Sequence, residues 1–175
     1  MKNFRIVIVC LLWWLILAPW GYANQIDLKI FYVNDFHGFA EPHQPTGSAS
    51  PLGGIAYLAG AVDAARGKQP SLLLSAGDMI QGKAWANLFQ GKSTLEVMNA
   101  VKFDAMVVGN HEFDFGPQVL KRRIAQARFP ILGANVKGLP GLKPYIIKNL
   151  SGVRIAIIGV VTPETPVATH PRNVA

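Results

Sequence analysis

Three short stretches of the chain carry side chains of the types that bind divalent cations and move protons. They are Asn34-Asp35-Phe36-His37-Gly38, Gly77-Asp78 and Gly109-Asn110-His111-Glu112-Phe113-Asp114. A Gly-Asp pair or an Asp-x-His pair alone occurs by chance in many proteins. A specified tetrapeptide such as Gly-Asn-His-Glu recurs at roughly one position in 10⁴ to 10⁵. The three stretches together therefore indicate one site.

Four of these residues, Asp35, His37, Asp78 and Asn110, are the candidate metal ligands. In an extended segment residues i and i+2 project to the same side, so Asp35 and His37 can face one cation while Phe36 turns into the core. Two cations about 3.5 to 4 Å apart need a bridging ligand, and the two carboxylate oxygens of Asp78 suit that role. Asn110 offers a neutral carbonyl oxygen to the second cation. The alternative for an isolated Asp-x-His is a pair of exposed loop residues.

The charge of such a site suits a phosphate ester. Two dications, two carboxylates and one bridging hydroxide would leave the centre about one unit positive, which attracts a phosphate monoester. The hydroxide is available near neutral pH because the metals lower the pKa of water, and it could attack phosphorus in line. The residue types thus predict a two-metal phosphoesterase site.

His111 and Asp114 form the candidate catalytic pair. Asp114 lies three residues after His111 and can hydrogen-bond its ring, which fixes the tautomer and favours the imidazolium. His111 could then stabilise the transferring phosphoryl oxygens or protonate the leaving alkoxide. The alternative is a structural His–Asp pair in a capped turn. Glu112 is expected either to support the ligands from behind or to order the loop, rather than to bind metal.

Each motif follows a predicted strand. β-rich or apolar runs occupy residues 28–33, 72–74 and 105–108, directly before the three motifs. In open α/β sheets ligands bind at the carboxyl ends of the strands, so the motifs should meet at one edge. Further strands are predicted at 131–134, 145–148 and 153–159.

Helical periodicity and start signals predict helices between the strands. The three helices run from Ile55 to about Gly67, from a capping box at Ser93 and Glu96 through Val101, and from Pro117 to about Ala127. Residues 38–52 form a long Gly-, Pro- and Ser-rich loop. Alternating strands and helices indicate an α/β fold with mostly parallel pairing.

Residues 1–23 have the layout of a secretory signal peptide. Lys2 and Arg5 precede an apolar run, and Gly21-Tyr22-Ala23 provides the small-residue cleavage pattern. The alternative is a membrane anchor, but the apolar run is too short to span a bilayer comfortably. We therefore expect no stable membrane span after cleavage, and a secreted, periplasmic or cell-surface protein.

The single cysteine, Cys10, lies in this predicted leader, so the mature chain has no thiol and must be held together by core packing and bound metal. The leader carries two positive charges and no negative ones, so its removal lowers the formal charge from +7 to +5. This basicity favours anionic substrates, although an ordinary solvated surface explains it equally well. The run Lys121-Arg122-Arg123 is a helix face by its spacing, so no nucleic-acid polymer is expected as a partner.

The order of four motifs resembles a known family. NDFHG, GDMIQG, GNHEFDFG and GVVTPETP, the last at residues 159–166, look like the amino-terminal part of the secreted 5′-nucleotidase family within the calcineurin-like metallophosphoesterases. The resemblance covers residues 28 to about 173. It implies a nucleotide or another phosphate ester as substrate.

The resemblance implies roles for particular residues. Asp35, His37 and Asp78 would bind the first metal, Asp78 and Asn110 the second, and His111 with Asp114 would form the catalytic dyad. The cofactors would be two divalent ions such as zinc or manganese. The implied fold is the first half of a four-layer α/β/β/α sandwich, with the domain spanning residues 24–175.

The sequence departs from the family pattern after Asp114. The family needs two further histidines and a third histidine or glutamine as ligands, and His170 lacks the expected glycine context, so it is expected to be an exposed polar residue. We therefore expect residues 24–175 to be incomplete at the carboxyl end and inactive alone. The alternatives are a cyclic-nucleotide phosphodiesterase or UDP-sugar hydrolase on the same site, or a truncated non-catalytic secreted fragment.

Overall fold

The computed structural model describes residues 25–66 and 69–174. The signal-peptide prediction for residues 1–23, with Cys10, falls outside these residues and stays a prediction. Across the described ranges, no helix is both long enough and apolar enough to cross a membrane.

A four-stranded parallel sheet forms the centre of the fold. Its strands are β1 (Lys29–Val33), β2 (Ser71–Ser75), β3 (Ala105–Val107) and β4 (Ile131–Leu132). They lie in the order β1-β2-β3-β4, so each strand pairs with the next one in the chain. Because parallel strands run in one direction, their carboxyl ends share one edge of the sheet. The predicted α/β class and parallel pairing are confirmed.

Helices lie in the connections between the strands. They are α1 (Ile55–Arg66), α2 (Ala84–Leu88), α3 (Lys92–Val101), α4 (Pro117–Gln126) and, near the end of the chain, α5 (Thr165–Ala168), with 3-10 turns at His111–Phe113 and Pro171–Asn173. The bounds of α1, α3 and α4 agree with the predicted helices to within about a residue. The helices α2 and α5 have five and four residues, which is too short for a periodic pattern to reveal them.

The predicted capping box at the start of α3 is wrong. The residue before the helix is Gly91, whose φ is +79°, and no side chain caps the helix there. Ser93 lies inside the first turn, where its hydroxyl donates to the carbonyl of Trp85 at 2.9 Å. Glu96 instead faces Lys92 one turn earlier, with 3.6 Å between the charged atoms.

An antiparallel hairpin follows the sheet. Its strands are β5 (Tyr145–Leu150) and β6 (Val153–Ile158). The two turn residues, Ser151 and Gly152, both have positive φ, which is the backbone that a tight two-residue hairpin requires. Lys148 of β5 contacts the carboxylate of Asp104 at 2.5 Å and so attaches the hairpin to the loop before β3.

The core lies between one face of the parallel sheet and the helices. The buried residues that form it include Val62 of α1, Leu73, Leu95, Met98, Met106, Leu120 and Ile131. The other side of β1 is open, since Ile30 and Tyr32 are 55% and 74% exposed. The hairpin shows a similar apolar row, with Tyr145 and Ile158 paired across the strands and more than half exposed. The described residues therefore leave apolar sheet surface uncovered.

Two glycines hold β2 and β3 close together where the strands end. Gly77 has a φ of +100°, and a Cβ atom there would lie 2.6 Å from the backbone nitrogen of Gly109. That contact is with backbone, which cannot swing aside as a side chain could. The close approach of these two loops therefore depends on glycine at position 77.

Replacement of Gly77 by Ala is expected to lower the free energy of unfolding by more than about 1 kcal/mol, because both the positive φ and the contact oppose a Cβ atom. Chemical denaturation measures this effect. Gly60→Ala is the matched control, since Gly60 lies in α1 with open space around its Cβ position. Equal midpoints for Gly77→Ala and the parent would contradict the proposed close packing.

Candidate metal centre

The three motifs meet at the carboxyl edge of the parallel sheet. Asp35 follows β1, Asp78 follows β2, and Asn110 and His111 follow β3. Backbone hydrogen bonds join the first two loops, from the Asp35 N–H to the Gly77 carbonyl at 3.2 Å and from the His37 N–H to the Asp78 carbonyl at 3.0 Å. Strand order thus places the motifs in neighbouring loops, as the sequence indicated.

Three candidate side chains converge closely. His37, Asp78 and His111 offer ligand atoms that all lie within 4.8 Å of one another. The rings of His37 and His111 meet edge to face, with centroids 5.0 Å apart. Asp35 joins this group through His37, since its Oδ1 lies 3.7 Å from the His37 Nε2 atom. The side chain of Asp35 is 61% exposed, which leaves its carboxylate accessible.

The backbone of the candidate ligands is strained. Asp35, His37 and Asp78 have φ values of +51°, +48° and +57°. Non-glycine residues in this region cost of order 1 kcal/mol each and persist where the surroundings enforce them, commonly at functional sites. The sequence argument placed Asp35 and His37 on one side of an extended segment, and this reason is wrong because the chain leaves the β conformation after Val33. Phe36 is half-buried and packs against the core, in the direction that the sequence argument expected.

The surroundings of His37 fix which ring nitrogen is free. Its Nδ1 atom lies 2.9 Å from the carbonyl oxygen of Gln81. Because a carbonyl oxygen only accepts, Nδ1 carries a hydrogen, and in the neutral ring the lone pair is then on Nε2. The lone pair is then on the nitrogen that lies near Asp35. This outer partner is the arrangement that orients histidine ligands in metal sites.

Glu112 is the buried acceptor that joins two of the loops. Its Oε2 accepts hydrogen bonds from the N–H groups of Asp78 at 2.8 Å and Gly109 at 2.6 Å, and its Oε1 accepts one from Met79 at 2.8 Å. Its Oε1 also lies 3.4 Å from the Ile80 nitrogen. Burial raises the pKa of the Glu112 carboxyl, while the backbone N–H donors act in the opposite direction. The predicted loop-ordering role of Glu112 is confirmed.

His111 and Asp114 form the predicted hydrogen-bonded pair. The His111 Nδ1 atom lies 2.6 Å from the Asp114 Oδ2 atom, and the Thr169 hydroxyl donates to the Asp114 Oδ1 atom at 2.6 Å. The backbone N–H of His111 donates to the Asp78 Oδ1 atom at 3.0 Å. With Nδ1 occupied by Asp114, the Nε2 atom of His111 is the one that can face a substrate or a cation.

The charges around His111 favour its protonated form. Partial burial lowers the pKa of the ring, but the hydrogen bond to Asp114 and the charges of Asp114, Asp78 and Glu112 outweigh it, so the pKa lies above its ordinary value of 6.5. A raised pKa means that the folded state binds the proton more tightly than the unfolded state does. The pair therefore stabilises the fold below pH 6.5, and this contribution is lost as the pH rises through the folded-state pKa.

Replacement of Asp114 by Asn is expected to lower the pKa of His111, because it removes the nearest negative charge while keeping the shape of the side chain. The ring resonances of His111 in the metal-free protein, followed by NMR against pH, measure it. Asp63→Asn on α1 is the control. A His111 pKa that stays at the parent value in Asp114→Asn would contradict the assigned pairing.

Asn110 and two further residues complete the surroundings. The Asn110 amide nitrogen donates to the Ala168 carbonyl at 3.2 Å, and its Oδ1 atom has no hydrogen-bond donor among the described residues. Sequence reasoning missed Thr169 and the role of Gln81. Gln81 lies in the GDMIQG motif, whereas no motif in the sequence points to Thr169.

His170 is exposed and accepts from the Arg172 N–H at 3.2 Å, as expected of a polar loop residue.

The donor set suits divalent cations. Imidazole nitrogen, carboxylate oxygen and an amide oxygen are ligand types shared by zinc, manganese and iron sites. His37 and Asp78 lie close together at one edge, with Asp35 beside His37, so the residues present fit such a group. His111 lies in the same cluster but is paired with Asp114. The donors do not distinguish one of these metals from another.

Comparison with known proteins identifies the class. Residues 28–154 match the family described as calcineurin-like phosphoesterase. This match covers more than half of the chain, so the chain belongs to the calcineurin-like phosphoesterase family. The family resemblance inferred from the four motifs is confirmed.

The similar proteins include 5′-nucleotidases. The chain is 34% identical to the 5′-nucleotidase of Homo sapiens, over 87% of this chain and 29% of that protein, and 37% identical to the snake venom 5′-nucleotidase of Crotalus adamanteus, over 85% and 28%. Among solved structures, a 5′-nucleotidase precursor from Thermus thermophilus matches with a TM-score of 0.69 and 36% identity, over 79% of this chain and 29% of that one.

The NAD nucleotidase of Haemophilus influenzae gives a TM-score of 0.72 at 35% identity, over 80% of this chain and 27% of that one. The chain thus spans about three tenths of the length of these relatives. Its α/β fold with a parallel sheet matches the amino-terminal part of such 5′-nucleotidases.

Proposed function

We propose that this chain supplies part of a two-metal phosphohydrolase that removes phosphate from nucleotides. The observation that supports it most is the convergence of His37, Asp78 and His111 at one sheet edge, with Asp114 bonded to His111. The nucleotide substrate is inferred from the names of the relatives. The geometry itself supports the phosphoryl-transfer chemistry.

The proposed ligands divide between two cations. Asp35, His37 and Asp78 would hold the first, and Asp78 with Asn110 would hold the second. When bound, such cations would lower the pKa of a bound water and would withdraw charge from the phosphoryl oxygens. Four residues are too few to complete two coordination shells. The remaining donors are proposed to come from polypeptide outside residues 25–174.

His111 and Asp114 provide the proton for the leaving group. Asp114 accepts the Nδ1–H of His111 and so directs the Nε2–H toward the substrate. As the bond between phosphorus and the ester oxygen breaks, the Nε2 proton passes to that oxygen, and the nucleoside leaves with a hydroxyl group. The hydrogen bond to Asp114 and the nearby carboxylates raise the pKa of His111, which favours the protonated form that this role requires.

The open sheet surfaces support the finer fold proposal. The chain would form the first half of a four-layer α/β/β/α sandwich, in a domain that begins at residue 24 after a cleaved leader. Ile30 and Tyr32 on β1, and Tyr145 and Ile158 on the hairpin, would then pack against the second half. Burial of such apolar surface stabilises by about 25 cal/mol per Å². A secreted, periplasmic or cell-surface location accords with relatives named as a venom enzyme and as a cell wall protein.

Phosphate release by the protein of the complete open reading frame that contains this chain tests the proposal. We expect metal-dependent release from nucleoside monophosphates, lost on chelation and restored by zinc or manganese. His111→Ala should lower the rate roughly 100-fold or more. His170→Ala is the matched control, because His170 is an exposed loop residue. Release that is indifferent to chelator or to His111→Ala would contradict the proposal, and a panel with cyclic nucleotides and UDP-sugars would locate the preferred substrate.

A further inference from the structure

The segment 165–173 packs against the turn that carries His111 and Asp114. It comprises α5 and the following 3-10 turn, and most of its residues are exposed. Thr169 differs from its neighbours because it is 8% exposed. Its hydroxyl donates to the Asp114 Oδ1 atom at 2.6 Å. A buried hydroxyl thus donates directly to the candidate catalytic carboxylate.

We propose that Thr169 is a positioning residue, whose hydroxyl fixes the Asp114 carboxylate and thereby the His111 ring for proton transfer. This inference rests on the proposed function of the His111–Asp114 pair. It extends the pair to a third member, 55 residues further along the chain.

The two oxygens of Asp114 have separate partners. Oδ2 lies 2.6 Å from the His111 Nδ1 atom, and Oδ1 accepts from Thr169. A rotation of the carboxylate would break both contacts together, so the hydroxyl opposes the rotation that would release the His111 ring. A donor on Oδ1 also satisfies one side of the carboxylate without competing for the oxygen that holds His111.

Other contacts fix the segment independently of this hydroxyl. The Asn173 amide donates to the backbone carbonyls of Phe113 at 2.9 Å and Asp114 at 3.1 Å. The Ala168 carbonyl accepts from the Asn110 amide, and the backbone N–H of Thr169 donates to the Thr165 carbonyl at 3.1 Å. Because these bonds involve backbone or other side chains, a change of the Thr169 side chain should leave the segment in place.

Thr169→Val separates hydrogen bonding from packing. Valine has nearly the shape of threonine but has no hydroxyl, whereas Thr169→Ser keeps the hydroxyl and loses a methyl group. If Thr169 only fills space, the valine variant should behave like the parent. If its hydroxyl positions Asp114, Thr169→Ser should keep the His111–Asp114 hydrogen bond and the turnover that Thr169→Val loses.

Thr165→Val is the matched control. Thr165 is also buried in the segment, and its hydroxyl donates to the Thr162 carbonyl at 2.7 Å rather than to Asp114. Both valine variants therefore remove a buried hydroxyl from the segment. Only Thr169→Val removes a hydrogen bond to Asp114.

Two measurements test the proposal. The first is the NMR resonance of the His111 Nδ1–H in the metal-free chain, assigned by its loss in His111→Ala. We expect the parent, Thr169→Ser and Thr165→Val to show the hydrogen-bonded signal and Thr169→Val to lose it. The second is turnover by the protein of the complete reading frame, where Thr169→Val should lower kcat roughly 10-fold with little change in KM.

An unchanged Nδ1–H signal in Thr169→Val would overturn the proposal, as would a lost signal accompanied by unchanged kcat. If the parent protein releases no phosphate, the proposed function is wrong. The Nδ1–H signal of His111 would still show whether Thr169 positions the Asp114–His111 contact.

Discussion

Replacement of Asp78 by Asn is expected to weaken binding of manganese or zinc at least about 100-fold and to abolish most phosphate release. Asp78 is the proposed bridge between two cations, so loss of its charge affects both. Loss of a group that only orients a ligand already costs about 10- to 100-fold in metal affinity or activity. Removal of a ligand's charge should cost at least as much.

The Asp78→Asn variant should nevertheless fold. Asparagine tolerates the left-handed backbone that Asp78 adopts, with its φ of +57°. Its amide oxygen can still accept the hydrogen bond from the His111 N–H. Calorimetry with manganese measures the affinity, and circular dichroism checks the fold. Asp63→Asn, on the exposed side of α1, is the charge-matched control, and equal manganese affinity for Asp78→Asn and the parent would refute the bridging role.

Replacement of Glu112 by Gln is expected to lower the free energy of unfolding by about 2 to 6 kcal/mol, which is about 1 to 3 kcal/mol for each of two N–H groups that lose their acceptor. The contacts that the structure shows at both carboxylate oxygens are with backbone N–H groups, of Asp78 and Gly109 on one side and of Met79 and, at 3.4 Å, Ile80 on the other. The amide NH₂ of glutamine must face one of these sides. There its N–H donors point at backbone N–H donors, and the backbone groups lose their acceptor. A buried donor without an acceptor costs about 1 to 3 kcal/mol.

The Glu112→Gln effect is measured by chemical denaturation at neutral pH. Glu96→Gln is the matched control, because Glu96 is exposed on α3 and its pairing with Lys92 is a surface contact worth at most about 1 kcal/mol. If Glu112→Gln does not fold, Glu112→Asp, which keeps the charge and shortens the reach, should show a smaller loss of stability. A Glu112→Gln midpoint equal to that of the parent would show that this carboxylate does not hold the loops together.

Much of the fold could be predicted because its strands and longer helices are marked by apolar runs and periodic patterns within short stretches of sequence. The apolar runs before Asp35, Asp78 and Asn110 gave three of the strands, and the periodic pattern from Ile55 gave α1. The position of the site followed from the rule that parallel strands end at one edge. Strands were also expected at 131–134, 145–148 and 153–159, and β4, β5 and β6 lie at these positions, with β4 two residues shorter than expected.

The remaining features depend on contacts that a sequence pattern does not contain. The capping box at Ser93 failed because Gly91 is the residue that precedes α3, and the Ser93 hydroxyl instead donates to the Trp85 carbonyl of α2. The strained backbone at Asp35 and His37 is enforced by the neighbouring loop, through bonds to Gly77 and Asp78. Thr169 is brought to Asp114 by tertiary packing across a separation of 55 residues.

The central claim is that Asp35, His37, Asp78 and Asn110 hold two cations while His111 remains free for proton transfer. Anomalous diffraction from crystals of the complete protein grown with manganese or zinc tests it most directly. We expect two peaks roughly 3.5 to 4 Å apart, bridged by Asp78, with His111 bonded to Asp114 and not to either metal. A single peak ligated by His37, Asp78 and His111 together, or no peak at this sheet edge, would contradict the claim.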